Sequence, residues 1–186
     1  MLRPLHRLLR KNVEWTWGDV EECVFQEVKQ LLVEAPVLVP FDASLPVAFV
    51  TDASPYGIGS ILEHVIRENG VEVHHPIAFY SRSLSGAEKK YAQIEREALA
   101  IISSVRHWSH FLLGRKFSLV TDHKPLVHIF SPDATLPKYT LGRLARWSLF
   151  LSDYDYDVTY VPTTDMPADF LSRAFLEKKV FYRIIP

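Results

Sequence analysis

Two acidic residues occur in the same local frame. The chain reads FVTDAS at residues 49–54 and LVTDHK at 119–124, so Asp52 and Asp122 each close an apolar run that ends in Val-Thr-Asp. The flanks of the two copies are dissimilar, which makes the echo shared chemistry within one domain and not a duplication. If the runs are neighbouring parallel strands, both carboxylates reach one rim of the sheet, where ligands of open α/β sheets gather. Two carboxylates held together repel, and one takes up a proton unless a cation neutralises them. Such a rim calls for a metal ion or for an acid/base pair.

A third acid favours the metal. In YAQIEREALAIISSVRHW the apolar stripe Tyr91, Ile94, Ala98, Ile101, Val105 and Trp108 steps at helical spacing. On that wheel Glu97 lies about 60° from Ile94 and Glu95 about 100°. Glu97 is therefore expected to face the sheet rim, and Glu95 to face solvent, where its charge is lost cheaply. A carboxylate at the edge of a core is costly unless paired or metal-bound. A fourth candidate is Asp169, in the first turn of a last helix. Oxygen donors without cysteine or organised histidine suit Mg²⁺, with Mn²⁺ as its substitute. A pair of such ions serves phosphoryl transfer, one activating water and the other stabilising the leaving oxygen.

The elements that must position these acids follow from pattern. VAFVTD and FSLVTD read as central parallel strands, apolar on consecutive positions. Between them GIGSILEHVI, the turn ENG and VEVHHPIAFYS form an antiparallel hairpin. Ser85 with Glu88 three residues on is a capping box, expected to open the helix that carries Glu97. After Asp122 come a short helix PLVHIF, a polar loop, the helix LGRLARWSLFLSD, the edge strand DYDYDVTYV and the helix PADFLSRAF with Pro167 in its first turn. The order β-β-β-α-β-α-β-α predicts an α/β fold, a mixed five-stranded sheet with helices on its faces. Before residue 40, PLHRLLRK and GDVEECVFQEVKQLLVEA read as helices, ended by three prolines in APVLVPFDASLP.

Composition sets the frame. At 186 residues and 48% hydrophobic the chain can bury one full core. A single cysteine, Cys23, excludes an internal disulfide and a cysteine zinc cage, in keeping with an intracellular setting. The start lacks the apolar core of a secretory signal, and no apolar run reaches the ~20 residues of a membrane span, so the expectation is neither secretion nor a membrane. A net charge of -1 leaves any grip on nucleic acid to local patches.

At these residues the chain resembles the ribonuclease H domain of reverse transcriptases from gypsy-type LTR retrotransposons. The stretches that carry the likeness are TDASPYGIGSIL, PIAFYSRSLSGAEKKYAQIEREALAI, GRKFSLVTDHKPL, RLARWSLFLSDYDYDVTYVP and ADFLSR, in family order over roughly residues 36–174. The resemblance implies a ribonuclease H-like fold over residues 41–176, preceded by an N-terminal helical linker from the polymerase thumb or connection region (1–40) and followed by a tail (177–186). It implies that Asp52, Glu97, Asp122 and Asp169 bind two metal ions and that the substrate is the RNA strand of an RNA/DNA hybrid. Strand-end and wheel reasoning reach the first three acids independently, whereas Asp169 rests mainly on the family. The partner implied is the polymerase domain of a parent polyprotein, in a virus-like particle in the cytoplasm or in the nucleus. The chain lacks the polymerase Tyr-x-Asp-Asp motif, a zinc finger and an integrase, which is the expectation for a polyprotein fragment or truncated copy. The loop VPTTDMPAD has no histidine where many ribonucleases H carry one before the last carboxylate.

Other residues carry two readings each. Arg143 and Arg146, one helical turn apart, are candidates for holding hybrid phosphates, against a plain solvated face. Tyr80, Ser81 and Arg82 are candidates for the hybrid's minor groove, where 2′-hydroxyls mark RNA. Gly57 and Gly59 suit a tight turn better than a phosphate loop. His74, His75, His107, His110 and His128 lack metal spacing and read as surface or packing residues, and Trp108 and Trp147 as core. Against the nuclease stands a catalytically inactive ribonuclease H-like module that binds nucleic acid or serves as a scaffold. Intact carboxylates favour the nuclease.

Overall fold

The computed structural model describes residues 3–34, 38–68, 70–132 and 142–162. These fall into two compact units, one holding the N-terminal helices and the other everything described from Leu38 onward. The first unit pairs α1 (Arg3–Leu8) with α2 (Asp19–Glu34). Leu8 is buried there, and Arg7 reaches Glu21 at 3.7 Å.

The second unit is built on five strands: β1 (Val47–Ala53), β2 (Gly57–Glu68), β3 (Val71–Ser83), β4 (Lys116–Thr121) and β5 (Asp155–Tyr160). Their order across the sheet is β3-β2-β1-β4-β5. β2 runs antiparallel to both β3 and β1, while β1, β4 and β5 run parallel to one another. This is the mixed sheet the sequence predicts, with the alternating DYDVTY at one edge. All seven residues of β1 are buried, as a strand covered on both faces requires.

Helix α3 (Gln93–His107) lies against β1 and β2, followed by the single turn α4 (Ser109–Leu112). Ala98, Ile101, Val105 and Trp108 meet Phe49, Leu62 and Leu119 in the main core, which α5 (Lys124–Phe130) and α6 (Gly142–Leu151) extend through Leu126, Phe130, Leu144 and Leu151. Each Leu, Ile, Val or Phe among them contributes roughly 1.5–3 kcal/mol by leaving water. Tyr156 of β5 is anchored by donating its hydroxyl hydrogen to the Phe130 carbonyl at 2.7 Å, and burial pushes its phenol up to about 12. The last helix expected from PADFLSRAF lies outside the described residues.

One boundary differs from the sequence reading. Ser85 and Glu88 do form a reciprocal cap, Ser85 N–H to the Glu88 carboxylate at 2.8 Å and Glu88 N–H to Ser85 Oγ at 3.3 Å. They close a 3-10 turn over Glu88–Lys90, and the long helix begins afresh at Gln93. Arg82 explains the stop. Its guanidinium grips Glu88 at 2.8 and 2.9 Å and holds that carboxyl down to about 2, tying the turn to β3.

Candidate metal centre

Register sets the first pair of acids. Val47, Ala48, Phe49 and Val50 of β1 lie beside Phe117, Ser118, Leu119 and Val120 of β4. The offset of seventy residues is also the separation of the two Val-Thr-Asp stretches, so continuing the ladder brings Asp52 beside Asp122. Asp52 sits one residue inside the end of β1, opposite Gly59 of β2. Asp122 follows the last residue of β4, and the Thr121 hydroxyl accepts the His123 N–H at 3.2 Å where the chain turns into α5.

Glu97, on the second turn of α3, completes the group. One oxygen from each of Asp52, Glu97 and Asp122 lies within 4.8 Å of the others. Asp52 is 2% exposed and Glu97 4%, while Asp122 is half-buried. Burial pushes the Glu97 carboxyl up to about 9, and the charges of Asp52 and Asp122 push the same way. The Ala53 N–H that Glu97 accepts, and the Arg96 charge, pull it down less strongly. Without a cation the trio therefore keeps a proton at neutral pH. A converging set of carboxylate oxygens, one held protonated by its surroundings, fits a hard divalent ion that would displace that proton. Asp169 lies outside the described residues.

The flanking candidates have varied surroundings. Tyr80 stacks under His107 at 4.2 Å and packs against the core, on the α3 side of β3. Ser81 is exposed and pairs with Gly59, the residue opposite Asp52. Arg82 is engaged by Glu88 and by Ser103 Oγ at 3.1 Å. Arg143 pairs with Glu95 and lies 3.9 Å over the Tyr91 ring, whereas Arg146 is exposed and donates to the Gly142 carbonyl at 3.2 Å. Gly57 is where strands crowd: a Cβ there would meet the Arg82 carbonyl at 3.0 Å.

Glu95 corrects the expectation of a solvent-facing residue. Its side chain is only 12% exposed, pairs with Arg143 and accepts the Ala92 N–H at 3.1 Å. The later helix start makes Glu95 the third helical residue, from which a carboxylate reaches back to an unsatisfied amide. The helical wheel carries no sign of Arg143, which arrives from an element 48 residues away. Sequence reasoning also passed over the buried Glu63, whose carboxylate meets His74 Nδ1 at 2.7 Å.

Known proteins bear on this geometry. The family model described as "RNase H-like domain found in reverse transcriptase" matches residues 42–154. The Transposon Tf2-3 polyprotein of Schizosaccharomyces pombe is 35% identical over 176 residues, covering 93% of this chain and 13% of the polyprotein. The chain thus spans about an eighth of the length of the curated relatives it matches. Among solved structures, a foamy viral protease-reverse transcriptase in complex with double-stranded DNA superposes with a TM-score of 0.64 at 19% identity, over 87% of this chain and 28% of that one. The same viral enzyme in complex with an RNA/DNA hybrid gives 0.61 at 17% identity, over 100% of this chain and 24% of that one. At such identities the structural likeness speaks for the ribonuclease H fold alone. Together with the sequence matches, it makes this chain a member of the RNase H-like domains of reverse transcriptases, of the kind carried in retrotransposon polyproteins.

Proposed function

We propose that the chain is a metal-dependent endonuclease that hydrolyses the RNA strand of RNA/DNA hybrids, as one part of a retrotransposon reverse transcriptase. The observation that carries this reading is the meeting of three carboxylates within 4.8 Å, with Glu97 pushed up to about 9 by burial and by its two neighbours. Asp52, Glu97 and Asp122 would hold Mg²⁺, or Mn²⁺ in its place, with Asp169 as a fourth ligand and two ions in all. When bound, the ions supply Lewis-acid activation of water and stabilisation of the leaving oxygen.

The protein's own share is positioning. Two parallel strands and a helix packed on β1 hold the acids rigidly, and the Ala53 N–H fixes the Glu97 carboxyl in place. Burial keeps competing water from the Asp52 and Glu97 oxygens. In the hydrolysis, water forms the new P–O bond, the bond from phosphorus to the 3′ oxygen breaks, and one water proton ends on that oxygen. The products are 3′-hydroxyl and 5′-phosphate ends. Ser81, one pair beyond Gly59 from Asp52, and the exposed Arg146 remain the candidates with surface free for the hybrid, while Tyr80, Arg82 and Arg143 would have to exchange present contacts.

We read residues 41–176 as the nuclease domain, 1–40 as the link to the polymerase domain of the parent polyprotein, and 177–186 as a tail, working inside the cell in a cytoplasmic virus-like particle or the nucleus. The test is cleavage of a labelled RNA/DNA hybrid and of the same RNA single-stranded, in Mg²⁺, in Mn²⁺ and in EDTA. Cleavage of the hybrid alone, only with metal, is expected. Cleavage that survives EDTA, or none with either ion, overturns the proposal.

A further inference from the structure

Arginines in the second unit are mostly engaged. Arg82 is held by Glu88 and Ser103, Arg143 by Glu95 and the Tyr91 ring, and Arg106 and Arg115 lie over the rings of Phe150 and Phe41 at 5.0 and 4.8 Å. Arg115 shares with Arg96 a buried Nε that has no hydrogen-bond acceptor, but of the two only Arg96 stands beside the acidic centre. It immediately precedes Glu97, is half-buried, and its Nε is buried without a hydrogen-bond acceptor. Its charge is felt at Glu97, yet no ion pair joins it to a carboxylate among the described residues. A buried guanidinium N–H without an acceptor is costly, so its retention points to an acceptor that arrives with a ligand.

Place and charge say what that ligand is. Ala100, one turn further along the same side of α3, packs on Ala53 and Ile58, where β1 ends and β2 begins. Arg96 is thus beside the turn that flanks the three acids. The acids can take up cations but repel a polyanionic backbone on either side, and a planar guanidinium matches a phosphate with two parallel N–H bonds. We propose that Arg96 binds a backbone phosphate of the nucleic acid next to the one that lies at Asp52, Glu97 and Asp122. This rests on the nuclease reading above. Arg96 grips substrate and does no proton transfer.

The experiment compares the parent with Arg96→Gln, Arg96→Lys and, as a control on the same helix, Arg106→Gln. Binding of a fluorescent RNA/DNA hybrid is measured by anisotropy in EDTA across a salt series, and cleavage in Mg²⁺ is measured alongside. Loss of one phosphate contact should make the slope of log affinity against log salt shallower by roughly 1. Arg96→Gln should show that change and raise KM about 10-fold, the scale of one charge-assisted contact, with a smaller effect on kcat. Arg96→Lys should restore the slope, and Arg106→Gln should keep the parent's slope. An unchanged slope in Arg96→Gln, or a change equal to that of Arg106→Gln, overturns the assignment. A lowered Tm with an unchanged slope makes Arg96 a packing residue and also overturns it. A parent that binds hybrid but cleaves nothing would sink the nuclease reading while leaving the slope to decide on Arg96.

Discussion

Val50 of β1 lies directly beside Val120 of β4 in parallel register. Two residues further along each strand stand Asp52 and Asp122, so the ladder itself delivers both acids to one place. Asp52→Asn removes a charge without removing packing atoms. Hybrid cleavage should fall by ~10²-fold or more, the scale of losing a preorganised electrostatic contact, while Tm stays at or above the parent's. A variant that cleaves like the parent would remove Asp52 from the centre.

Glu97 and Glu95 should separate function from stability. Glu97→Gln is expected to abolish most cleavage and to raise the Tm of the metal-free protein, since an amide is uncharged without the proton that the buried carboxyl must take up on folding. Glu95→Gln should keep cleavage within a few-fold but lose the Arg143 pair and weaken the bond to Ala92 N–H. A cost of about 1–2 kcal/mol follows from losing a cap and a partly shielded ion pair. Denaturant unfolding and cleavage of both variants side by side decide the matter, and inactivity confined to Glu95→Gln would reverse the assignment.

The metal-free protein should lose stability as pH rises. The folded Glu97 carboxyl is raised to about 9 from an ordinary 4.5, so its contribution is fully present below about 4.5 and drains away as pH climbs toward 9. The slope from this group is at most ~1.4 kcal/mol per pH unit. Urea titrations in EDTA from pH 5 to 8.5 should show the fall, and Glu97→Gln should flatten it. Adding Mg²⁺ should restore stability most at the alkaline end, because binding releases the Glu97 proton. A parent curve as flat as the variant's would remove the basis for that proton.

A second titrating group sits in the hairpin. His74 Nδ1 meets the fully buried Glu63 carboxylate at 2.7 Å, and this bond raises the imidazole above its usual range, with Glu72 adding to the effect. The raised value places its stabilisation below about pH 6.5 and loses it as pH rises through the folded value. With Glu97→Gln as background, the Tm of the parent hairpin should drop between pH 6 and 8 more than that of His74→Asn. Parallel curves would show that the pair is not ionic.

The N-terminal unit should be dispensable for folding. Chains starting at residue 36 keep every strand and the whole of the main core. Such a protein should unfold cooperatively with near-parent far-ultraviolet circular dichroism. An unfolded product would place α2 within the core and move the domain boundary.

Local pattern was enough to name much of this protein. Apolar runs of strand length, the antiparallel pairing of β2 with β3, the stripe from Ile94 to Trp108 and the alternation of DYDVTY follow from short windows of the chain, and each formed as read. Asp52, Glu97 and Asp122 were legible for the same reason, since strand ends and a helix face are properties of short windows. What no window contains is the partner of each group. The seventy-residue register that aligns two Val-Thr-Asp stretches, the Arg143 that turns Glu95 from a solvent charge into a tie, and the bulge at Leu62 and Glu63 all arise between separate segments. Packing of the sheet against its helices brings those segments together, and burial then raises the carboxyl of Glu97. The same Glu is an ordinary acid on an isolated helix and a proton-holding carboxyl at about 9 once it is buried beside Asp52 and Asp122.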